Sequence, residues 1–108
     1  MSEKLIIVVR GDLRPGQQLV QAAHALRQFV AEHKPEDEAW YAGFNTMAVV
    51  TVTSDSELLE LQRRAWDLDV KTSLFCEPDL GNQATAMALE PCANATRICR
   101  GLPLALGG

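Results

Sequence analysis

The chain has 108 residues, 47% of them hydrophobic and 22% charged, with a formal net charge of −4. That length suits one domain over residues 1–108, large enough to bury a core without staples. The acidic balance argues against a protein that coats nucleic acid, and the longest apolar run near the N-terminus, Leu5–Val9, is too short to cross a membrane.

Leu5–Val9 is a β-branched run that predicts a strand buried on both faces, central in a sheet. Glu3 and Asp12 flank it and no small-residue cleavage site follows, so it does not read as a signal peptide. Gly11–Gly16 breaks the chain. From Gln17 to about His33 the pattern turns helical, with Leu19, Ala23, Leu26 and Val30, flanked by Ala22 and Phe29, forming the expected inward seam. Lys34–Glu38 reads as a solvated connector or the start of a short helix, and Trp40–Phe44 as a lid packed on the domain.

Met47–Thr53 predicts a second strand. Ser54-Asp55-Ser56-Glu57 is a capping box opening a helix to about Leu68, with Leu58, Leu61, Ala65 and Leu68 inward. Thr72–Cys76 predicts a third strand, Glu77–Gln83 a loop, and Ala84–Leu89 a fourth strand. Pro91 can start a last helix that Gly101 closes, and Leu102–Leu106 reads as extended. The order β-α-β-α-β-β-α points to an α/β fold, a four-stranded mixed sheet with helices on both faces. An exposed sheet edge or the Leu102–Leu106 tail offers a route to a homodimer.

Cys76, Cys92 and Cys99 are odd in number and form no C-x-x-C pair, and neither His24 nor His33 is spaced to complete a zinc site. They read as reduced thiols of a cytoplasmic protein, with no metal and no cofactor implied. Arg10-Gly11-Asp12 matches an adhesion tripeptide by letter but joins a strand to a helix. The terminal Leu106-Gly107-Gly108 is not accompanied by a ubiquitin-like order of elements.

One stripe carries candidate chemistry. Gln17, Gln21, His24 and Gln28 are spaced 4, 3 and 4, so they share one side of the first helix, opposite the expected apolar seam. His24 is thereby set among neutral amides, as either a solvated face or a site. Charge is also uneven. Residues 1–34 hold five basic against three acidic groups, a balance of +2, whereas residues 35–108 hold five against eleven, a balance of −6. A phosphate would prefer the first third, where Arg10, Arg14 and Arg27 lie.

The run from Lys4 through Leu13, then Gly16, then Gln21-Ala22-Ala23-His24-Ala25, resembles the opening of type 2 peptidyl-tRNA hydrolases, where a strand ending V-R-x-D-L leads to a helix with A-Q-x-A-H-A. Ser56–Leu61 is similar to the family's middle helix, Thr72-Ser73-Leu74 to its third strand, and Ala84–Pro91 to its T-V-L-A-I-G-P strand. The resemblance covers about residues 4–100. Where the family has a lysine before the helix motif, this chain has Gln17. The family's R-D-A-G-R-T-Q loop is replaced by the shorter Cys76–Gln83, with Glu77 at the aspartate position, Gln83 at the first threonine and Thr85 at the second. These departures look like the divergent peptidyl-tRNA hydrolase domain-containing branch.

The resemblance implies hydrolysis of the ester joining a peptide to the 3′ ribose of tRNA, with peptidyl-tRNA as partner, no membrane and no cofactor. His24 is the implied base, Glu77 its orienting group or water holder, and Thr85 or Asn82 the donor to the oxyanion. Gln17, Gln21, Asn82, Arg10, Arg14 and Arg27 are the implied substrate contacts. The alternative is a weak or inactive domain of the same fold that binds tRNA, a peptide or a protein partner.

Overall fold

A computed structural model of the chain describes residues 3–107. Its elements are β1 (Leu5–Arg10), α1 (Pro15–Glu32), α2 (Lys34–Ala42), β2 (Met47–Val52), α3 (Asp55–Asp67), β3 (Thr72–Glu77), β4 (Gln83–Leu89) and α4 (Ala93–Ile98). The strands form one mixed sheet in the order β2-β1-β4-β3. β1 runs parallel to β2, while β4 is antiparallel to both β1 and β3. β1 and β3 therefore point the same way, with β4 between them rather than side by side.

The continuous apolar run of β1 has the cause expected of it. Ile6 and Val8 face a cluster built with Leu58, Leu61 and Ala65 of α3 and with Ala95 and Ile98 of α4. Leu5, Ile7 and Val9 face Ala25 and Phe29 of α1. A strand covered on both faces has no position left for a polar residue until Arg10.

Local chemistry fixes the elements. The Ser54 hydroxyl oxygen accepts from the Glu57 amide at 3.1 Å, and the Glu57 carboxylate reaches back to the Thr53 amide at 2.7 Å. Lys34–Ala42 is the helix α2, so of the two readings of Lys34–Glu38 the start of a short helix holds, and Trp40–Ala42 of the expected lid belongs to the same helix. There Trp40 donates through Nε1 to the Thr46 carbonyl at 2.7 Å, closing the loop before β2. The C-terminal segment is only partly extended. Leu104 bridges Val50 and the Thr51 amide donates to the Pro103 carbonyl, so part of the outer edge of β2 is covered within the chain. Ala105–Gly107 then turns as a short 3-10 segment.

The first helix departs from expectation in its rotation. Gln18, Gln21, Ala25 and Phe29 are its buried residues, whereas Leu19 is 62% exposed. The helix is turned about a quarter of a revolution from its most apolar seam. The cause lies in what the sheet offers: small Ala86 and Ala88 let Phe29 seat deeply, and polar groups of β3 and β4 receive the glutamines. No helix among the described residues is long and apolar enough to cross a membrane.

Candidate active site

The C-terminal ends of β1 and β3, the start of β4 and the start of α1 meet at one edge of the sheet. Open α/β folds place ligands at such an edge. A β-bulge prepares this one. Phe75 pairs with Ala86 and Cys76 with Ala84, so Thr85 is the extra residue on β4. Counted back from Met87, which faces the α3 cluster, strict alternation would send Thr85 to that same face, yet Ala84 faces it too, so the alternation breaks between them. The bulge instead aims Thr85 at α1.

There Thr85, fully buried, donates from its hydroxyl to Gln21 Oε1 at 2.5 Å. Gln21 Nε2 in turn donates to Glu77 Oε1 at 2.8 Å. The relay runs Thr85 to Gln21 to Glu77, and it fixes which end of the amide is which. The other carboxylate oxygen of Glu77 accepts from the Asp79 backbone amide at 3.2 Å. The Gln21 hydrogen bond, then the Asp79 amide, hold the Glu77 carboxyl below its ordinary value of 4.5, and His24 adds to this electrostatically, against the opposing effect of desolvation. Glu77 is thus held as a carboxylate with two donors.

A cavity of about 290 Å³ opens above this relay, lined by Gln17, Val20, Gln21, Glu77, Asp79 and Leu80, with Gly16 at its edge. His24 lies beside it, exposed, with its ring stacked on Phe75 at 4.4 Å between centroids and 13° between planes. Among the described residues no side-chain hydrogen bond to His24 is formed, which leaves both ring nitrogens for a ligand or water. Gln28, on the same side of the helix, donates to the Leu74 carbonyl at 3.1 Å.

The expected site residues separate into three groups. Gln17, Gln21 and Glu77 wall one cavity, with His24 next to it. Thr85 lies beneath, reached only through Gln21, so its hydroxyl is occupied rather than offered. Asn82 sits exposed in a left-handed turn (φ 61°) after Gly81, outside the cavity wall. Gln17 has a second role: its Oε1 accepts from the Arg14 amide at 3.2 Å and caps α1.

Arg10, expected to meet phosphate, is 8% exposed. Its Nε and Nη2 pair with the Asp12 carboxylate at 3.0 and 2.7 Å, and its Nη1 donates to Gln83 Oε1 and the Ala84 carbonyl. The bulge ends the β1–β4 ladder at Val9–Ala86, and the guanidinium takes up the carbonyl left over. The pairing raises the Arg10 pKa and lowers that of Asp12. Arg14 and Arg27 remain exposed.

Sequence reasoning missed Phe75, Asp79, Val20 and Leu80. A signal for Phe75 existed. Ser73, Phe75 and Glu77 alternate along β3, and they meet Glu32, His24 and Gln21, all on one side of α1. Among the described residues no three His, Cys, Asp or Glu side chains converge as a metal site requires.

Comparisons with known proteins agree with this architecture. The solved structure of Atu0240 from Agrobacterium tumefaciens strain C58, a protein of unknown function, is similar with a TM-score of 0.69 and 19% identity. The likeness covers 96% of this chain and 98% of that one, and it supports the fold. No curated protein matches. The family described as peptidyl-tRNA hydrolase PTH2 matches residues 3–104, nearly the whole chain and every element around the cavity, and the chain belongs to that family.

Proposed function

We propose that this protein is a cytoplasmic peptidyl-tRNA hydrolase, cleaving the ester between a peptide and the 3′ ribose of tRNA at the cavity beside His24. The observation that carries the reading is the Thr85–Gln21–Glu77 relay, which ends in a carboxylate held at a cavity wall next to a histidine with free ring nitrogens. Family membership supplies the substrate class.

In this mechanism His24 takes a proton from water as the water oxygen attacks the ester carbonyl carbon. Phe75 keeps the ring in one plane, and Glu77 holds the water or the imidazolium that forms. The Gln17 amide nitrogen is the donor for the developing oxyanion, since Gln17 Oε1 is tied to the Arg14 amide. Collapse of the tetrahedral species breaks the bond to the ribose oxygen, which takes up the proton. Thr85 acts through Gln21, as a positioning residue. Arg14 and Arg27 meet the tRNA backbone.

A neutral glutamine where other members carry a cation favours slower turnover than theirs. A second reading, a cleft that binds peptidyl-tRNA without cleaving it, draws on one observation: Gln17 is spent partly on capping α1. A hydrolysis assay on purified peptidyl-tRNA, with a lysine-containing family member as positive control, separates the two. The proposal expects ester cleavage that His24→Ala removes.

A further inference from the structure

The Arg10 guanidinium ties together three segments that meet behind the candidate site. Its root is fixed at the end of β1, where Arg10 pairs with Val52 and the Gly11 amide donates to the Val52 carbonyl at 2.8 Å. Its Nε and Nη2 grip the two carboxylate oxygens of Asp12, in the loop that leads into α1. This fork sets the plane of the group and leaves Nη1 directed at β4. There Gln83 Oε1 accepts at 2.8 Å and the Ala84 carbonyl at 3.3 Å.

The Ala84 carbonyl belongs to the residue next to the bulge. The β1–β4 ladder stops at Val9–Ala86, so past that point the guanidinium links β1 to β4. Cys76 pairs with Ala84, which leaves Thr85 as the extra residue. In a regular ladder Cys76 would pair with Thr85 instead, and the hydroxyl would turn away from Gln21. A grip on Ala84 opposes that relaxation. Thr85 orients Gln21 and Gln21 donates to Glu77, so the line of contacts that starts at Arg10 ends at the cavity wall. Neither Arg10 nor Asp12 lines the cavity.

We infer that Arg10 and Asp12 are positioning residues: the pair clamps the β4 bulge in the register that aims Thr85 at Gln21, and thereby fixes the Glu77 carboxylate without touching it. An ion pair with one member partly in solvent ordinarily contributes little, and the Asp12 side chain is 43% exposed. Here its consequence lies at Glu77, on another strand. That Glu77 serves hydrolysis rests on the function proposed above; its hydrogen bonding does not.

The test titrates the Glu77 carboxyl by ¹³C NMR in the full chain, in Asp12→Ala and in Arg10→Lys, with Glu77→Gln identifying the signal. Loosening the bulge weakens the Gln21 hydrogen bond, so both variants should move the Glu77 pKa up toward 4.5. Direct electrostatics predicts otherwise. Removal of the Asp12 charge would favour the Glu77 carboxylate and move the value down, while lysine keeps the Arg10 charge and lacks only the fork. An unmoved or lowered value in either folded variant would overturn the clamp. Arg10 is buried, so if Arg10→Lys misfolds, Asp12→Ala decides alone. In the hydrolysis assay Asp12→Ala should lower kcat by about tenfold with KM unchanged, since the clamp lies outside the cavity. A raised KM with kcat kept would also overturn it, by making Asp12 a substrate contact. Absence of cleavage by the unaltered chain would sink the hydrolase reading alone, and the titration decides the clamp either way.

Discussion

The two flanks of α1 hold the same kind of group in opposite conditions. On the β3 side, the buried Gln21 amide is satisfied at both ends, by the Thr85 hydroxyl and the Glu77 carboxylate. On the β2 side, the equally buried Gln18 is satisfied at its nitrogen alone. Two amides three residues apart on one helix thus differ: one closes a relay at a cavity wall, and the other keeps an unpaired oxygen inside the protein. The first arrangement fixes a carboxylate at a cavity wall, because a group positioned by a closed relay does not have to be ordered when a ligand arrives.

The arginines sharpen the contrast between structure and surface. Arg10→Ala removes the donor to Asp12, Gln83 and the Ala84 carbonyl, and urea denaturation should report a loss of about 1.5–3 kcal/mol. The slope of tRNA affinity with salt should stay the same. Arg14→Glu with Arg27→Glu should do the reverse, leaving stability within about 0.5 kcal/mol and reducing the magnitude of the salt slope by roughly one for each phosphate no longer neutralised. If the Arg10 variant alone flattens the slope, the assignment of the three arginines is wrong.

Thr85→Val is the next largest effect. It keeps shape but strands Gln21 Oε1 in the core, at a cost of about 1–3 kcal/mol in thermal or urea unfolding. Leu19→Ser, on the apolar flank, should change stability by no more than about 0.5 kcal/mol, since Leu19 is mostly exposed. A large loss in the second and none in the first would mean that α1 sits on its apolar seam after all.

That reversal explains how far the sequence could be read. The strands, the central place of Leu5–Val9, the Ser54 cap and the mixed sheet followed from runs, caps and spacing, which are local. The rotation of α1 did not. Its angular pattern puts Leu19 and Leu26 on the best apolar seam, yet the side that docks is decided by Ala86, Ala88, Thr85 and Glu77, residues more than fifty positions away. The polar stripe was legible as a stripe, and Gln17, Gln21 and Glu77 do share a cavity. The bulge that aims Thr85, and the use of Arg10 to complete the ladder beside it, are invisible in a single sequence because alternation predicts the other face.

Acid titration gives a smaller effect. The folded protein holds the Glu77 carboxyl below 4.5, so its stabilising contribution is complete above that value and fades as pH falls through the depressed folded-state pKa. Glu77→Gln, which resembles the protonated carboxyl, should therefore lower stability slightly at neutral pH and weaken the acid dependence of unfolding below about pH 4.5. An unaltered acid limb would mean the Gln21 hydrogen bond is absent in solution.

The central claim is that the cavity beside His24 cleaves esters of tRNA, and single-turnover hydrolysis of purified peptidyl-tRNA by the unaltered chain and by His24→Ala tests it most directly. The account predicts cleavage by the unaltered chain and a rate lower by about 10²–10⁴ in the variant, with thermal stability unchanged because His24 is exposed. Full activity in His24→Ala would contradict it, placing the chemistry elsewhere, and so would the absence of any cleavage by the unaltered chain beside an active control.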